Sequence, residues 1–213
     1  MTPTQPGHPD GCARVAFERA SETIASLVSD LGAGLGRVPV VALGGPAGAG
    51  KTTLANRLGA TVLSTDWYLP DYDNTPEHLR DVPESADLSL LAHHLDQLRS
   101  GRAVEAPIWS FHTHRREGVR TITPSALITV EGIHALFPLL LPLVDLPVFV
   151  EAPSSIRWQR WEHIEQAGLR GWGVERAKVY FDGVAEPVFA AREPGYRAAA
   201  RLIVVNDHGI AGI

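Results

Sequence analysis

Apolar residues recur along the chain at two spacings, one typical of helices and one typical of buried strands. Residues 12–31 place apolar side chains three and four positions apart, which predicts an amphipathic helix. Residues 38–43 form a continuous apolar run, which predicts a fully buried strand. Further strands are predicted at 61–64, 126–130, 148–150 and 202–205. Further helices are predicted at 51–58, 87–100, 154–168 and 173–191.

The order of these elements predicts an α/β fold. Strands that alternate with helices form parallel sheets with helices on both faces. Ligands of such sheets bind at the carboxyl ends of the strands. We therefore expect the functional site in the segments that directly follow strands, among them the polar, proline-punctuated loop 66–84.

Composition narrows the class of protein. The 213 residues are 45% hydrophobic and 20% charged, which is ordinary for a globular domain with its own core. The net charge of -5 predicts that neither nucleic acid nor an anionic membrane is a partner. We expect a cytoplasmic protein for three reasons. There is a single cysteine, the apolar stretch at 135–150 is broken by prolines, and the first ten residues show no secretory signal pattern.

The clearest motif is a glycine-rich loop between the first buried strand and a helix. It matches G-x-x-x-x-G-K-[ST] in full, with small residues whose backbone amides can converge on phosphate oxygens. The lysine is predicted to bind the outer phosphates and to act in catalysis, and the threonine hydroxyl to hold Mg²⁺. The predicted nucleotide-binding residues of this loop are Gly45, Pro46, Ala47, Gly48, Ala49, Gly50, Lys51, Thr52 and Thr53.

Several classes of nucleotide-binding protein share such a loop. An Asn-Lys-x-Asp run that would read guanine is absent, and so is the Leu-Ser-Gly-Gly-Gln run of ABC-type ATPases. The apolar run 127–130 instead delivers Glu131 at a strand end, where its carboxylate can hold Mg²⁺ beside Thr52. These features favour a small-molecule kinase.

Four blocks of sequence resemble the uridine kinase family, within the group of uridine kinases and phosphoribulokinases. They are residues 44–53, 63–68 (Leu-Ser-Thr-Asp-Trp-Tyr), 81–87 (Asp-Val-Pro-Glu-Ser-Ala-Asp) and 130–133 (Val-Glu-Gly-Ile). The resemblance implies a P-loop NTPase fold with a helical lid. It divides the chain into an N-terminal tail and helix at 1–37 and a kinase domain at 38–213, with the lid at about 154–185.

The resemblance also implies roles for individual residues. Asp66 matches the catalytic carboxylate that takes the proton of the acceptor hydroxyl. Asp81 matches a ribose-binding aspartate, and His114 matches a histidine that contacts the acceptor base. The other acceptor-binding residues implied are Tyr68, Trp109, which replaces a tyrosine of the family, and Arg116.

The family's lid carries arginines that close over the triphosphate. Arg157, Arg160 and Arg170 align with them if a shift of one residue is allowed. Trp161 and Trp172 stand where arginines are expected. The lid tryptophans could pack the lid, form an oligomer interface or line an altered acceptor pocket.

The expected activity is transfer of the γ-phosphoryl group of ATP, with Mg²⁺, to the 5'-hydroxyl of uridine or cytidine. Two alternatives stay open. The same machinery could act on a different hydroxyl compound, or the chain could bind nucleotide without transferring phosphate. A small-molecule substrate is the expected partner, and self-association into a homo-oligomer is left open.

Overall fold

The computed structural model describes residues 12–32 and 34–209. Its strands are β1 Ala13–Ala16, β2 Val40–Gly44, β3 Thr61–Ser64, β4 Val104–Ser110, β5 Arg115–Ile122, β6 Ile128–Gly132, β7 Leu146–Glu151 and β8 Leu202–Val205. Its helices are α1 Phe17–Gly32, α2 Lys51–Arg57, α3 Leu88–Arg99, α4 Ser154–Gln166, α5 Val174–Tyr180, α6 Glu186–Ala190 and α7 Glu193–Ala199. A π-helical turn, Phe181–Ala185, joins α5 to α6.

Six strands form one parallel sheet in the order β1-β8-β7-β2-β6-β3. Alternate residues of the central strand β2 point to opposite faces, as the period of a strand requires. Val40 and Ala42 pack in a core with the leucines of α3, whereas Val41 and Leu43 pack in a second core with α1 and α2. The prediction of a parallel α/β sheet covered on both faces is confirmed.

The predicted helix at 12–31 is wrong in its first turn. Residues 13–16 form β1, which pairs with β8 in parallel register at the edge of the sheet. The helix begins at Phe17, and its buried face contacts the same core as β8. The predicted boundary at residue 37 therefore separates segments that share one sheet and one core. Residues 1–11 of the predicted tail lie outside the described residues.

An antiparallel hairpin of β4 and β5 forms a second, two-stranded sheet. The pattern analysis did not predict it, because β5 is exposed along nearly its whole length and has no apolar face. The pairing shifts register between Ile108 and Trp109. The turn of the hairpin carries His114, which has a positive φ of 54°.

No helix of the described ranges is long and apolar enough to cross a membrane.

Candidate active site

The phosphate loop connects the carboxyl end of β2 to α2. Gly48 and Gly50 have φ values of 77° and 97°, a backbone region that glycine enters at little cost. Lys51 is the first residue of α2 and is buried, with Nζ donating to the carbonyl oxygen of Pro46 at 2.8 Å. Burial lowers the pKa of the Lys51 ammonium, while the charges of Glu131 and Asp66 raise it. The lysine is thus held inside the loop beside two carboxylates.

Thr52 and Glu131 meet because β2 and β6 are neighbours in the sheet. The Thr52 hydroxyl donates to Oε2 of Glu131 at 3.2 Å. Glu131 is buried, and desolvation raises the pKa of its carboxyl, an effect that Lys51 opposes. A hydroxyl and a carboxylate are the hard oxygen ligands that Mg²⁺ prefers. The donors present therefore fit a magnesium ion held by these two residues.

Asp66 follows β3 and stands between two pockets. One is the phosphate pocket, which is lined by the glycine-rich loop, Lys51 and Glu131 and has a cavity volume of about 210 Å³. The other, the acceptor pocket, has a smaller cavity of about 60 Å³, lined by Asp81 and by aromatic side chains. Both pockets are lined by the same four residues at their junction: Ala47, Asp66, Ile133 and Arg170.

The acceptor pocket combines a buried carboxylate with aromatic rings. Asp81 is buried there, and Oη of Tyr72 lies 3.5 Å from its Oδ1. Desolvation raises the pKa of Asp81 to about 6, with a smaller contribution from the charge of Asp66. The aromatic side chains that line this pocket are Tyr72, Trp109, Phe111, His114, Trp161, Trp172 and Tyr180.

His114 lies in this pocket, as predicted, but its ring is covered. Trp172 stacks on it with a centroid distance of 4.7 Å and an interplanar angle of 12°. Tyr72 stacks on it at 5.4 Å and 18°. Burial lowers the pKa of His114, and the charges of Arg80 and Arg170 lower it further. The ring is therefore neutral at physiological pH.

Two predicted acceptor-binding residues are not in the pocket. Tyr68 is fully buried in the hydrophobic core, where its hydroxyl forms a hydrogen bond of 2.7 Å with Nδ1 of His94. Arg116 extends along the outside of the loop and donates to the carbonyl oxygen of Tyr68 at 3.2 Å. The chain turns after β3 and brings Tyr72, four residues after Tyr68, to the pocket instead.

The three predicted lid arginines have different environments. Arg157 forms a two-pronged ion pair with Glu186, its Nε donates to the carbonyl oxygen of Ala152, and it does not line the phosphate pocket. Arg160 donates to the carbonyl oxygen of Gly48 at 2.8 Å and lines the phosphate pocket.

Arg170 has the position expected of a phosphate ligand. Its guanidinium carbon lies 4.6 Å from the ring centroids of both Phe111 and Trp161. Within the described residues it makes no hydrogen bond or ion pair, although it lines both pockets. The packing of the guanidinium against two aromatic rings, rather than an ion pair with a carboxylate, therefore holds the N–H groups of Arg170 in place.

Sequence reasoning missed several residues of the site. Tyr180, Phe111 and Ile133 line the acceptor pocket without having been assigned to it. Ile133 follows Glu131 in the fourth resembling block, and Phe111 lies between Trp109 and His114, so both were within reach of the motif analysis. Tyr180 carried no local signal, since only the packing of α5 brings it to Asp81.

Comparisons with known proteins agree with this geometry. A family model described as Phosphoribulokinase / Uridine kinase family matches residues 72–176. The chain is 34% identical over 135 residues to a uridine kinase of Deinococcus deserti, covering 57% of this chain and 65% of that protein. It is 33% identical over 135 residues to a uridine kinase of Halobacterium salinarum, covering 56% of this chain and 60% of that protein.

A 144-residue alignment at 33% identity matches the inorganic pyrophosphatase TTM2 of Arabidopsis thaliana, covering 64% of this chain but only 21% of that protein. The matches therefore span less than two thirds of these relatives' own lengths.

Solved structures share the fold at lower identity. A candidate fructose transport system kinase from Silicibacter sp. TM1040 superposes with a TM-score of 0.68 at 19% identity, covering 86% of this chain and 97% of that chain. A candidate uridine kinase from Bacillus stearothermophilus superposes with a TM-score of 0.54 at 19% identity, covering 88% of this chain and 100% of that chain. These likenesses show the P-loop kinase fold. The family model over residues 72–176 and the relatives named uridine kinase show that the chain is similar to the phosphoribulokinase and uridine kinase family.

Proposed function

We propose that this protein is a kinase that transfers the γ-phosphoryl group of ATP to a hydroxyl group of a small molecule. The observation that carries the proposal is the position of Asp66 in the wall shared by the phosphate pocket and the acceptor pocket. A carboxylate at that junction can contact the attacking hydroxyl on one side while the phosphate loop holds the triphosphate on the other.

The side chains of the site divide the chemistry between them. Lys51 and the loop amides would bind the phosphates, and Asp66 would orient the acceptor hydroxyl and take its proton. Arg170 would neutralise charge that develops on the transferred group. Thr52 and Glu131 would hold Mg²⁺, which supplies positive charge against the phosphate oxygens when bound.

The acceptor that the family resemblance suggests is a pyrimidine nucleoside, uridine or cytidine, phosphorylated at its 5'-hydroxyl. Relatives named uridine kinase support this candidate. The buried carboxylate of Asp81 would then accept hydrogen bonds from the ribose hydroxyls, and His114 would contact the base.

A different hydroxyl compound is the second candidate acceptor. It is favoured by the stacking of Trp172 on His114, and by the absence of Tyr68 and Arg116 from the pocket. Binding of nucleotide without transfer, a third interpretation, is disfavoured because Lys51 and Glu131 converge with Asp66 in the phosphate pocket.

The decisive experiment measures ADP release with ATP and Mg²⁺ across a panel of acceptors, with Lys51→Ala as the blank. Asp66→Asn is expected to lower kcat by about 10²- to 10⁴-fold while ATP still binds, since general base catalysis contributes that much. Asp73→Asn, which changes an exposed carboxylate of the same loop, is the matched control and is expected to leave kcat unchanged. Turnover of Asp66→Asn within a few-fold of the unmodified protein would contradict the role of Asp66.

A further inference from the structure

The face of His114 is closed by the lid. A planar base inserted between His114 and Trp172 would need ring centroids about 7 Å apart, two contact layers of about 3.5 Å each. The observed separation is 4.7 Å, and Tyr72 lies 6.1 Å from Trp172 on the adjoining side. The three rings contact one another and leave no slot for a base.

Trp172 is held in place by the backbone on both sides of it. Gly171 lies against the turn of the hairpin, where a Cβ would come within 2.8 Å of the carbonyl oxygen of His112. The amide of Gly173 donates at 3.0 Å to Glu165, a buried carboxylate that also accepts from the Trp161 indole at 3.2 Å. The turn between α4 and α5 therefore presents Trp172 to the pocket in one defined position.

Near His114 and Trp172, the pocket offers few polar groups that could form hydrogen bonds with the edge of a pyrimidine base. The Trp109 indole donates to the carbonyl oxygen of Pro70 at 3.3 Å, and Arg116 lies outside the pocket. Of the other aromatic side chains that line the pocket, the Trp161 indole donates to Glu165, and the hydroxyls of Tyr72 and Tyr180 interact with Asp81. The neutral ring of His114 and the indole of Trp172 remain. A base would therefore bury its own polar edge with few partners, which costs binding free energy.

The deeper part of the pocket suits hydroxyl groups instead. Asp81 is buried next to the hydroxyl of Tyr72, and the charge of Asp81 also acts on Tyr180. Carboxylate oxygens accept hydrogen bonds from paired hydroxyls, and the ring faces above them can pack on the C–H groups of a saturated carbon chain.

We propose that Trp172 determines acceptor specificity: it closes the pocket over His114 and selects compact polyhydroxy compounds that carry no planar base. The hydroxyl that reacts lies at Asp66, and further hydroxyls of the same molecule bind Asp81. This inference rests on the proposed phosphoryl transfer, for which it names the class of acceptor.

The test compares kcat/KM for uridine and cytidine with kcat/KM for ribose, fructose, ribitol and sorbitol. The unmodified protein is expected to prefer a polyhydroxy acceptor by at least about tenfold, the size of discrimination that pocket shape provides. Trp172→Ala is expected to raise the ratio of nucleoside to polyhydroxy turnover by about tenfold or more, and Trp172→Phe by less. Trp158→Ala, which removes a lid tryptophan that packs on Phe181 outside the pocket, is the matched control and is expected to leave the ratio within about twofold.

The outcomes separate the two proposals. Turnover of uridine by the unmodified protein at parity with polyhydroxy compounds, or a ratio that Trp172→Ala does not move, would overturn the role of Trp172 and leave phosphoryl transfer intact. If no acceptor gives turnover with any variant, the proposed transfer fails. Calorimetric titration of the same compounds then decides the specificity: tighter binding of polyhydroxy compounds that Trp172→Ala reverses supports it, and any other result overturns it.

Discussion

The most informative single residue of the acceptor pocket is Asp81, because its buried carboxyl forms no ion pair with a basic side chain of residues 12–32 or 34–209. Its carboxyl lies next to tyrosine hydroxyls, and the pKa rises from 3.8 to about 6. Raised carboxyl pKa values of this origin cluster at functional sites. Burying a carboxylate costs free energy, and a ligand that forms hydrogen bonds with the carboxylate can offset this cost.

This cost predicts a pH dependence of stability. Because the folded state holds the Asp81 proton up to about pH 6, the stabilisation present at low pH is lost as the pH rises through that value. Asp81→Asn removes this effect. The free energy of unfolding of the variant, relative to that of the unmodified protein, is therefore expected to be about 2 to 3 kcal/mol more favourable at pH 8 than at pH 4. Urea unfolding at both pH values measures this difference, with Asp73→Asn as the exposed control. An equal difference at both pH values would show that Asp81 is not buried as an acid.

Individual site residues were predictable to the extent that their roles depend on local motifs. Lys51, Thr52, Asp66 and Glu131 follow directly from strand ends, and the structure brings them together. The structure places Tyr68 and Arg157 away from the pockets for which they were predicted, because tertiary packing decides which of several nearby aromatic or basic side chains faces a pocket.

Elements with a strong apolar pattern were also predictable. The strands β2 and β3 and the helix α3 lie within two residues of their predicted bounds, because their buried faces impose a clear period. The hairpin of β4 and β5 was not predictable, because β5 is exposed. The strand β1 was not predictable either, because it is fixed by its pairing with β8, almost 190 residues away in sequence. Long-range pairing decided the structure where the local pattern was weak.

At the element scale, the contact between the lid turn and the hairpin predicts a sensitive glycine. Gly171→Ala would place a methyl group 2.8 Å from the carbonyl oxygen of His112, an overlap that costs about 1 to 3 kcal/mol. We expect the KM for the acceptor to rise about tenfold or more, with a smaller change in the KM for ATP. Steady-state kinetics with each substrate varied in turn measures both constants.

The matched control is Gly183→Ala, another lid glycine whose added methyl group meets no atom within 4 Å. It is expected to leave both constants unchanged. An acceptor KM that responds equally to the two substitutions would mean that the lid turn does not dock on the hairpin in solution.

At the scale of the whole molecule, the N-terminal helix α1 shares one core with the six-stranded sheet. Ile24 of α1 is fully buried in the cluster that also contains Val204 of β8 and Leu54 of α2. The helix thus closes one face of the sheet that holds the phosphate loop. We infer that it folds with the sheet as one cooperative unit.

Ile24→Ala is therefore expected to lower the free energy of unfolding by about 2 to 5 kcal/mol, the cost of a large-to-small change in a packed core. Glu22→Ala, at an exposed position of the same helix, is expected to change it by less than about 0.5 kcal/mol. Urea denaturation followed by circular dichroism and by tryptophan fluorescence measures both. A separate early transition for the helix would contradict a single cooperative unit.

The junction between the two pockets has a consequence for inhibition. Ala47, Asp66, Ile133 and Arg170 line both pockets, so the two pockets adjoin at these side chains. A single molecule that links adenosine through a phosphate chain to a polyol could occupy both pockets at once. Joining the two halves makes the second binding event intramolecular, which can raise affinity by about 10²- to 10⁴-fold over either half alone. If the proposed phosphoryl transfer holds, such bisubstrate conjugates would inhibit this protein selectively, because enzymes with a different acceptor pocket would bind only the adenosine end.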